Sequence, residues 1–346
     1  MKKHNNKDEY FGLDIGTTGV RLVQLKSGDD NPSLVTYGQK AFDKVVDVAS
    51  MTNEQDREIV KTKIDELKKE LKVSTNRAVV AVPDKYSLAS VVRVPLSNRE
   101  EMSKFIYDNA EKYFDRPING LRIDWYIVSP DTNQAEVDVL VVGANESVIS
   151  KYVDLINYLE LELVALEIDT LALARSVVTN EDSAVVALDL GYNNASMSVV
   201  FKRLPREVAS VNMGGEVFIN MVAQSFNVDR DEGQKFVEEF GVSLDKFDGQ
   251  VLKAIEPGLV EIIDKISQVS SDFTAKNKTK IAKVVLLGGT AAMPSLASYL
   301  SENLKTPVEI ANPWKNVAYP ANQHDALMNL SLNFGIAVGL AQRGYI

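Results

Sequence analysis

The chain has 346 residues, 45% apolar and 25% charged, enough for two ordinary cores, so two domains are the default expectation. A formal net charge of −10 argues against a nucleic-acid partner, because an acidic surface repels phosphates. Cysteine is absent and histidine occurs only as His4 and His324, which excludes disulfides and thiolate chemistry and disfavours a histidine-based catalytic or metal centre. Residues 1–10 are polar, without a secretory apolar stretch, and nothing approaches about 18 uninterrupted apolar residues, so neither export nor a membrane span is expected.

In chain order, residues 11–15 and 20–25 read as strands around Gly16-Thr17-Thr18-Gly19, a glycine-bearing hairpin turn. The spacing of Val60, Ile64, Leu67 and Leu71 predicts a helix over 53–72. Residues 78–82 form a short apolar run stopped by Pro83, the pattern of a buried strand. From Pro83 to about residue 162 the pattern becomes that of a self-contained α+β unit. It has a strand over 89–94, then a helix capped by Ser97 with Glu100 and presenting Met102, Phe105, Ile106 and Tyr113. Strands over 121–128 and 137–142 follow, then a helix carrying Val148, Tyr152, Ile156 and Leu159.

An internal echo comes next. Leu13-Asp14-Ile15-Gly16, with Thr17-Thr18-Gly19 and a strand after it, returns as Leu188-Asp189-Leu190-Gly191, with Tyr192-Asn193-Asn194 and a strand over 197–201. Glycine lets backbone N–H groups approach phosphate oxygens, hydroxyl and amide side chains add hydrogen bonds, and an aspartate can hold hydrated magnesium nearby. Two such hairpins facing each other would enclose a polyphosphate, although either alone also reads as an ordinary turn. Residues 284–290 form a third element, a buried strand ending in Gly288-Gly289-Thr290 and leading into a helix over about 294–304.

This ordered set resembles the superfamily of actin, heat-shock chaperones and sugar kinases. The resemblance implies an α/β, actin-like or ribonuclease H-like two-lobed fold with an inserted α+β subdomain. The first lobe would span 8–82, completed by about 163–182 and 330–346; the insert would span 83–162; the second lobe would span 183–329, with a helical subdomain at about 228–280. The implied cofactors are ATP or ADP and Mg2+. Asp14 and Asp189 would face the metal, with Gly16, Thr17, Thr18, Gly191 and Asn194 near phosphates. Arg21 stands in the place of a basic phosphate contact, its plain alternative being a solvent-facing charge. Gly214-Gly215 resembles a nucleotide-side turn, Gly288, Gly289 and Thr290 belong to the adenosine motif, and residues 333–343 resemble the closing helix. For hydrolysis, Asp169 or Glu167 would orient water, while Asp169 reads equally as a helix cap.

Within the superfamily the chain resembles the PilM family of type IV pilus assembly and, secondarily, the division protein FtsA. The residues that carry this are 86–128 around Tyr113-Phe114-Asp115, Val139 to Gly143, Glu167-x-Asp169, and Ala172-Leu173-Ala174-Arg175. Departures fall on the adenosine side: Gly233-Gln234-Lys235-Phe236-Val237 replaces an acidic and a basic contact, although Gln234 can still bond a ribose. Lys265, Ser267 and Gln268 stand where a glutamate and arginines are frequent, and Ser295 replaces a glycine. The expectation is therefore a cytoplasmic scaffold with slow or absent ATP turnover. It would be held at the inner face of the membrane by the N-terminal tail of a PilN-like protein, with homo-oligomerisation left open. An FtsA-like filament-forming protein, expected to carry an amphipathic helix after Arg343, and a small-molecule kinase are the alternatives.

Overall fold

Phe11, Gly12, Leu13, Asp14 and Ile15 are all buried and form strand β1 (Phe11–Ile15) in the middle of a five-stranded sheet. β2 (Gly19–Lys26) and β3 (Ser33–Ala41) extend it as antiparallel hairpins, while β4 (Arg77–Val82) and β8 (Glu162–Ile168) add in parallel, giving the order β3-β2-β1-β4-β8. A parallel pair needs a crossover, supplied by α1 (Glu54–Leu71). The Asn53 side chain accepts the Asp56 N–H at its start, and Val60, Ile64 and Leu67 pack on the sheet. The computed structural model describes residues 9–29, 31–114, 117–128, 135–177 and 183–345. His4, Asp115 and the outer ends of the expected first lobe, 8 and 178–182 and 346, lie outside them.

The second sheet repeats the plan. β9 (Ala184–Leu190), β10 (Ala195–Phe201) and β11 (Leu204–Val211) form consecutive antiparallel hairpins, and β12 (Ile281–Leu287) and β13 (Val308–Ile310) add in parallel, in the order β11-β10-β9-β12-β13. The register makes the echo literal, since Asp14 pairs with Arg21 and Asp189 pairs with Ser196 at equivalent points. Its crossover consists of α5 (Gly215–Phe226), α6 (Arg230–Phe240) and α7 (Gln250–Asn277). α7 runs through Pro257. α8 (Leu296–Leu304) follows β12.

Between β4 and β8 lies a three-stranded antiparallel sheet, ordered β5 (Ser87–Pro95), β7 (Glu136–Asn145), β6 (Leu121–Ile127), covered by α2 (Arg99–Phe114). Two sequence expectations shift by one residue here. The first turn of α2 is capped by Asn98, whose side chain accepts the Glu101 N–H at 3.0 Å, while Ser97 bonds the Glu101 carboxylate. The buried face is Met102, Ile106, Ala110 and Phe114, and Phe105 points outward, because adjacent helical residues diverge by about 100°. α3 (Glu146–Tyr158) returns to the first sheet, where Val148, Tyr152, Leu155 and Ile156 join the cluster around Leu13 and Val80.

α4 (Asp169–Val177) and α10 (Ser331–Ala341), the latter preceded by α9 (His324–Asn329), close the molecule. α10 buries Phe334, Ala337 and Val338 against β2 residues Val23 and Leu25, and Leu340 against β4. Gly339 sits against the Ala172 carbonyl, leaving no room for a Cβ, so α4 and α10 meet backbone to backbone.

Candidate functional site: a cleft between two hairpin turns

The β1–β2 turn closes with Gly16 N–H donating to Gly19 O at 3.0 Å, and the β9–β10 turn closes identically with Gly191 N–H donating to Asn194 O at 3.0 Å. Each turn is fixed from outside. Thr18 O accepts Phe42 N–H and Thr17 O accepts Val46 N–H, both at 2.9 Å, so the 42–51 segment hangs from the first turn. Gly191 O accepts Gly215 N–H at 3.1 Å and the Thr290 hydroxyl at 2.9 Å, and Tyr192 O accepts Glu216 N–H. Gly288 stands at φ +87°, where a Cβ would strike Leu190 O and press on the Asp189 carboxyl, and its N–H donates to Leu332 O at 2.7 Å. Only glycine meets both demands.

Between the turns lies a cleft of about 450 Å³, within the usual range for small-molecule sites. From the first lobe it is lined by Asp14, Gly16, Thr17, Thr18, Arg21 and Asp169. Asp189, Gly191, Asn194 and Gly215 line it from the second lobe, with Gln234, Gly288, Gly289 and Thr290 beyond them. Gly214 is not in the wall. It packs against Tyr192, where a Cβ would meet the carbonyl, and its role is to let α5 start beside the turn. Arg21 is turned inward, with its Nη1 3.3 Å from Asp14 Oδ2, rather than facing solvent. Gln234 lines the cleft and donates to Glu238 Oε1 at 2.7 Å, one turn along α6.

Sequence reasoning missed Asp84. It follows Pro83 at the carboxyl end of β4, the end of a parallel strand where α/β folds place ligands, and that position was the available signal. Its carboxylate accepts the Thr170 N–H at 3.3 Å and the Thr170 hydroxyl at 2.8 Å, which caps α4 from another segment. Asp169, the first residue of α4, therefore does not supply the cap of its own helix. Glu167 is on the other side of the wall. It is ion-paired with Arg175 and Arg343 and lines a different cavity, so it does not reach water in this cleft.

The cleft floor is short of positive charge. Burial pushes Asp189 up to about 7, aided by the Asp14 carboxylate and opposed by Arg21. Burial raises Asp84 to about 6, opposed first by its bonds from Thr170. Asp169 is pushed well above the usual range by burial and by Asp84, Asp14 and Asp189, and Asp14 is raised by burial against the pull of Arg21. A hard divalent cation fits this oxygen-rich, under-neutralised floor. Among the described residues no group of three or more His, Cys, Asp or Glu could hold a metal by itself. Such an ion would need phosphate oxygens and water to complete its shell, the habit of Mg2+.

A second cavity of about 440 Å³ opens between β6 and β8, each the edge strand of its own sheet. Trp125 and Tyr126 line it from β6 and Leu163 and Leu166 from β8, and its charged residues are Arg122 and Asp124 with the Glu167–Arg343 ion pair. Asp169 and Leu173 border the first cleft while Glu167 and Leu171 border the second, so the β8–α4 junction is a shared wall. Among the described residues no helix is long and apolar enough to cross a membrane.

A chain of the solved PilM-PilN type IV pilus biogenesis complex matches with a TM-score of 0.81 at 24% identity, covering 97% of this chain and 98% of that one. The ethanolamine utilization protein EutJ from Carboxydothermus hydrogenoformans matches at TM-score 0.55 and 16% identity, over 96% and 89% of the two chains. MreB 5 of Spiroplasma citri bound to AMPPNP matches at 0.53 and 12%, over 97% and 95%. At these identities the likeness establishes the actin-like fold. The model of the family described as type IV pilus assembly protein PilM matches residues 12–345, and the chain belongs to that family.

Proposed function

We propose that this chain is an actin-like scaffold of the type IV pilus inner-membrane assembly platform. In this reading it holds ATP or ADP with Mg2+ in the first cleft and the N-terminal cytoplasmic tail of a PilN-like membrane protein in the second. The observation that carries the partner reading is the second cavity, with unpaired edge strands on two sides and an aromatic and aliphatic lining. An extended tail can add to a sheet edge through backbone hydrogen bonds while its side chains fill apolar pockets. The partner would hold the chain at the cytoplasmic face of the membrane.

For the nucleotide, the paired turns offer backbone N–H groups and the Thr17, Thr18 and Asn194 side chains to phosphates. Asp14 and Asp189 would hold Mg2+, whose chemistry there is neutralisation of polyphosphate charge. Binding is better supported than turnover: burial and neighbouring carboxylates raise Asp169 well above its usual range and so disfavour the ionised form a base needs, and the ribose end offers Gln234 already bonded to Glu238. We infer slow or absent hydrolysis, with Asp169 as the residue that would orient water.

The test is calorimetry with two ligands. A synthetic peptide copying the cytoplasmic tail of the PilN-like protein of the same genome binds one to one, and complete absence of binding removes the scaffold reading. Mg-ADP binds independently, and Asp189→Asn weakens it at least about tenfold through loss of a charged ligand.

A further inference from the structure

Lys85 is absorbed neither by the sequence motifs nor by the reading above. It lies on the short turn Asp84–Tyr86 after β4, and its side chain is in the wall of the nucleotide-type cleft. Among the described residues that line the cleft, Arg21 and Lys85 are the cations, and Arg21 is already paired with Asp14. Lys85 Nζ is 3.0 Å from Asp47 Oδ2, which also accepts the Tyr86 hydroxyl.

Asp47 is held in place from several sides. Its Oδ1 accepts the Ala49 N–H at 3.1 Å, and the Ala49 carbonyl accepts Lys151 Nζ. It belongs to the 42–51 segment, which hangs by Phe42 and Val46 from the carbonyls of Thr18 and Thr17 in the first turn. The carboxylate is thus fixed, while the lysine stem has four rotatable bonds. Ile219, Val237 and Met293 line the cleft from the second lobe, an apolar set suited to a base, whereas Lys85 lines it from the first lobe, paired with Asp47, whose neighbour Val46 hangs from the Thr17 carbonyl. A polyphosphate running from that base between the two turns carries its last phosphate toward Lys85.

We propose that Lys85 is the ligand of the terminal phosphate, exchanging Asp47 for it, and that this makes the cleft selective for a nucleoside triphosphate over a diphosphate. The inference rests on the nucleotide reading of the cleft. A triphosphate draws the ammonium away from Asp47 and frees the 42–51 segment on that side; a diphosphate leaves the pair intact. No bond to phosphorus is made or broken.

The experiment is calorimetric titration of the full chain with Mg-AMPPNP and Mg-ADP, in wild type, Lys85→Gln and Asp47→Asn. Gln keeps the stem packed, and Asn keeps the acceptor for Ala49. The expected result is tighter wild-type binding of Mg-AMPPNP, with the affinity ratio falling about tenfold or more in Lys85→Gln, as for a lost charge-assisted bond. In Asp47→Asn, which removes the competitor, the ratio rises. An unchanged ratio in Lys85→Gln, or an equal loss for both nucleotides, overturns the inference while leaving the nucleotide reading intact. Wild type that binds both equally overturns it too, and wild type that binds neither overturns the reading and the inference together.

Discussion

The Asp84 carboxylate holds Thr170 by two atoms at once, accepting its N–H at 3.3 Å and its hydroxyl at 2.8 Å. This clasp joins the end of β4 to the start of α4 behind the cleft wall. Asp84→Ala leaves two buried Thr170 donors without their acceptor and is expected to cost about 1–3 kcal/mol in urea unfolding. Asp84→Asn, which retains an acceptor oxygen, costs less. Equal stability of the Ala variant and wild type would show that the clasp contributes nothing.

The cleft floor sets an inverted dependence on pH. Asp84 at about 6 and Asp189 at about 7 lie above their ordinary 3.8, mainly through burial, and Asp14 and Asp169 are raised as well. Between about pH 4 and 7 the folded state therefore binds more protons than the unfolded chain, so unfolding free energy falls as pH rises through that window. Melting followed by circular dichroism without divalent ions or nucleotide should give a lower Tm at pH 8 than at pH 5. A Tm that climbs steadily from pH 5 to 8 would mean these carboxyls are not desolvated.

Gly339 and Gly289 separate architecture from ligand. A methyl at Gly339 runs into the Ala172 backbone, which cannot yield without parting α4 from α10, so Gly339→Ala should cost about 1–3 kcal/mol or more. At Gly289 the nearest neighbour of a Cβ is Asn333 Oδ1 at 3.4 Å, while the residue lines the cleft. Gly289→Ala is expected to melt within about 2 °C of wild type, since surface-like changes stay within about 0.5 kcal/mol. Its nucleotide affinity should fall.

Trp125 offers the cleanest probe of the second cavity. Its indole N–H donates to Ser103 Oγ at 3.0 Å and Arg99 lies over its ring at 4.8 Å, so α2 fixes a ring that also lines the cavity. Trp125→Ala should weaken the tail peptide by about tenfold or more, the usual size for a buried aromatic anchor. Mg-ADP affinity, measured in the same cell, serves as the control for folding.

What could be read in the sequence was what is local. The paired Asp-x-Gly turns lie within a few residues of their strands, and a turn's chemistry is written in its own residues, so Asp14, Gly16, Asp189 and Gly191 were legible along with the two-sheet plan. Asp84 and Lys85 were not, because what makes them notable comes from Thr170 and Asp47, segments far away in the chain. Glu167 and Asp169 illustrate a different failure. Strand alternation puts i and i+2 on one face, but β8 ends at Ile168 and the helix begins at Asp169, so the two acids part to opposite sides of a wall. α3 reads as an amphipathic helix, yet periodicity cannot say which sheet its apolar face will cover.

The closing helix also has a consequence in time. The Tyr10 hydroxyl donates to Ala341 O at 3.2 Å across 331 residues, and the Tyr345 hydroxyl to Leu25 O at 3.3 Å across 320. At roughly 5–20 residues per second of synthesis, β1 and β2 wait about 15–60 s for the helix that covers them. The second sheet, drawn from the unbroken stretch 184–310, has its own cluster and is complete sooner. On the ribosome, then, the lobe that is made first is the one that matures last, its Val23 and Leu25 face uncovered until α10 emerges.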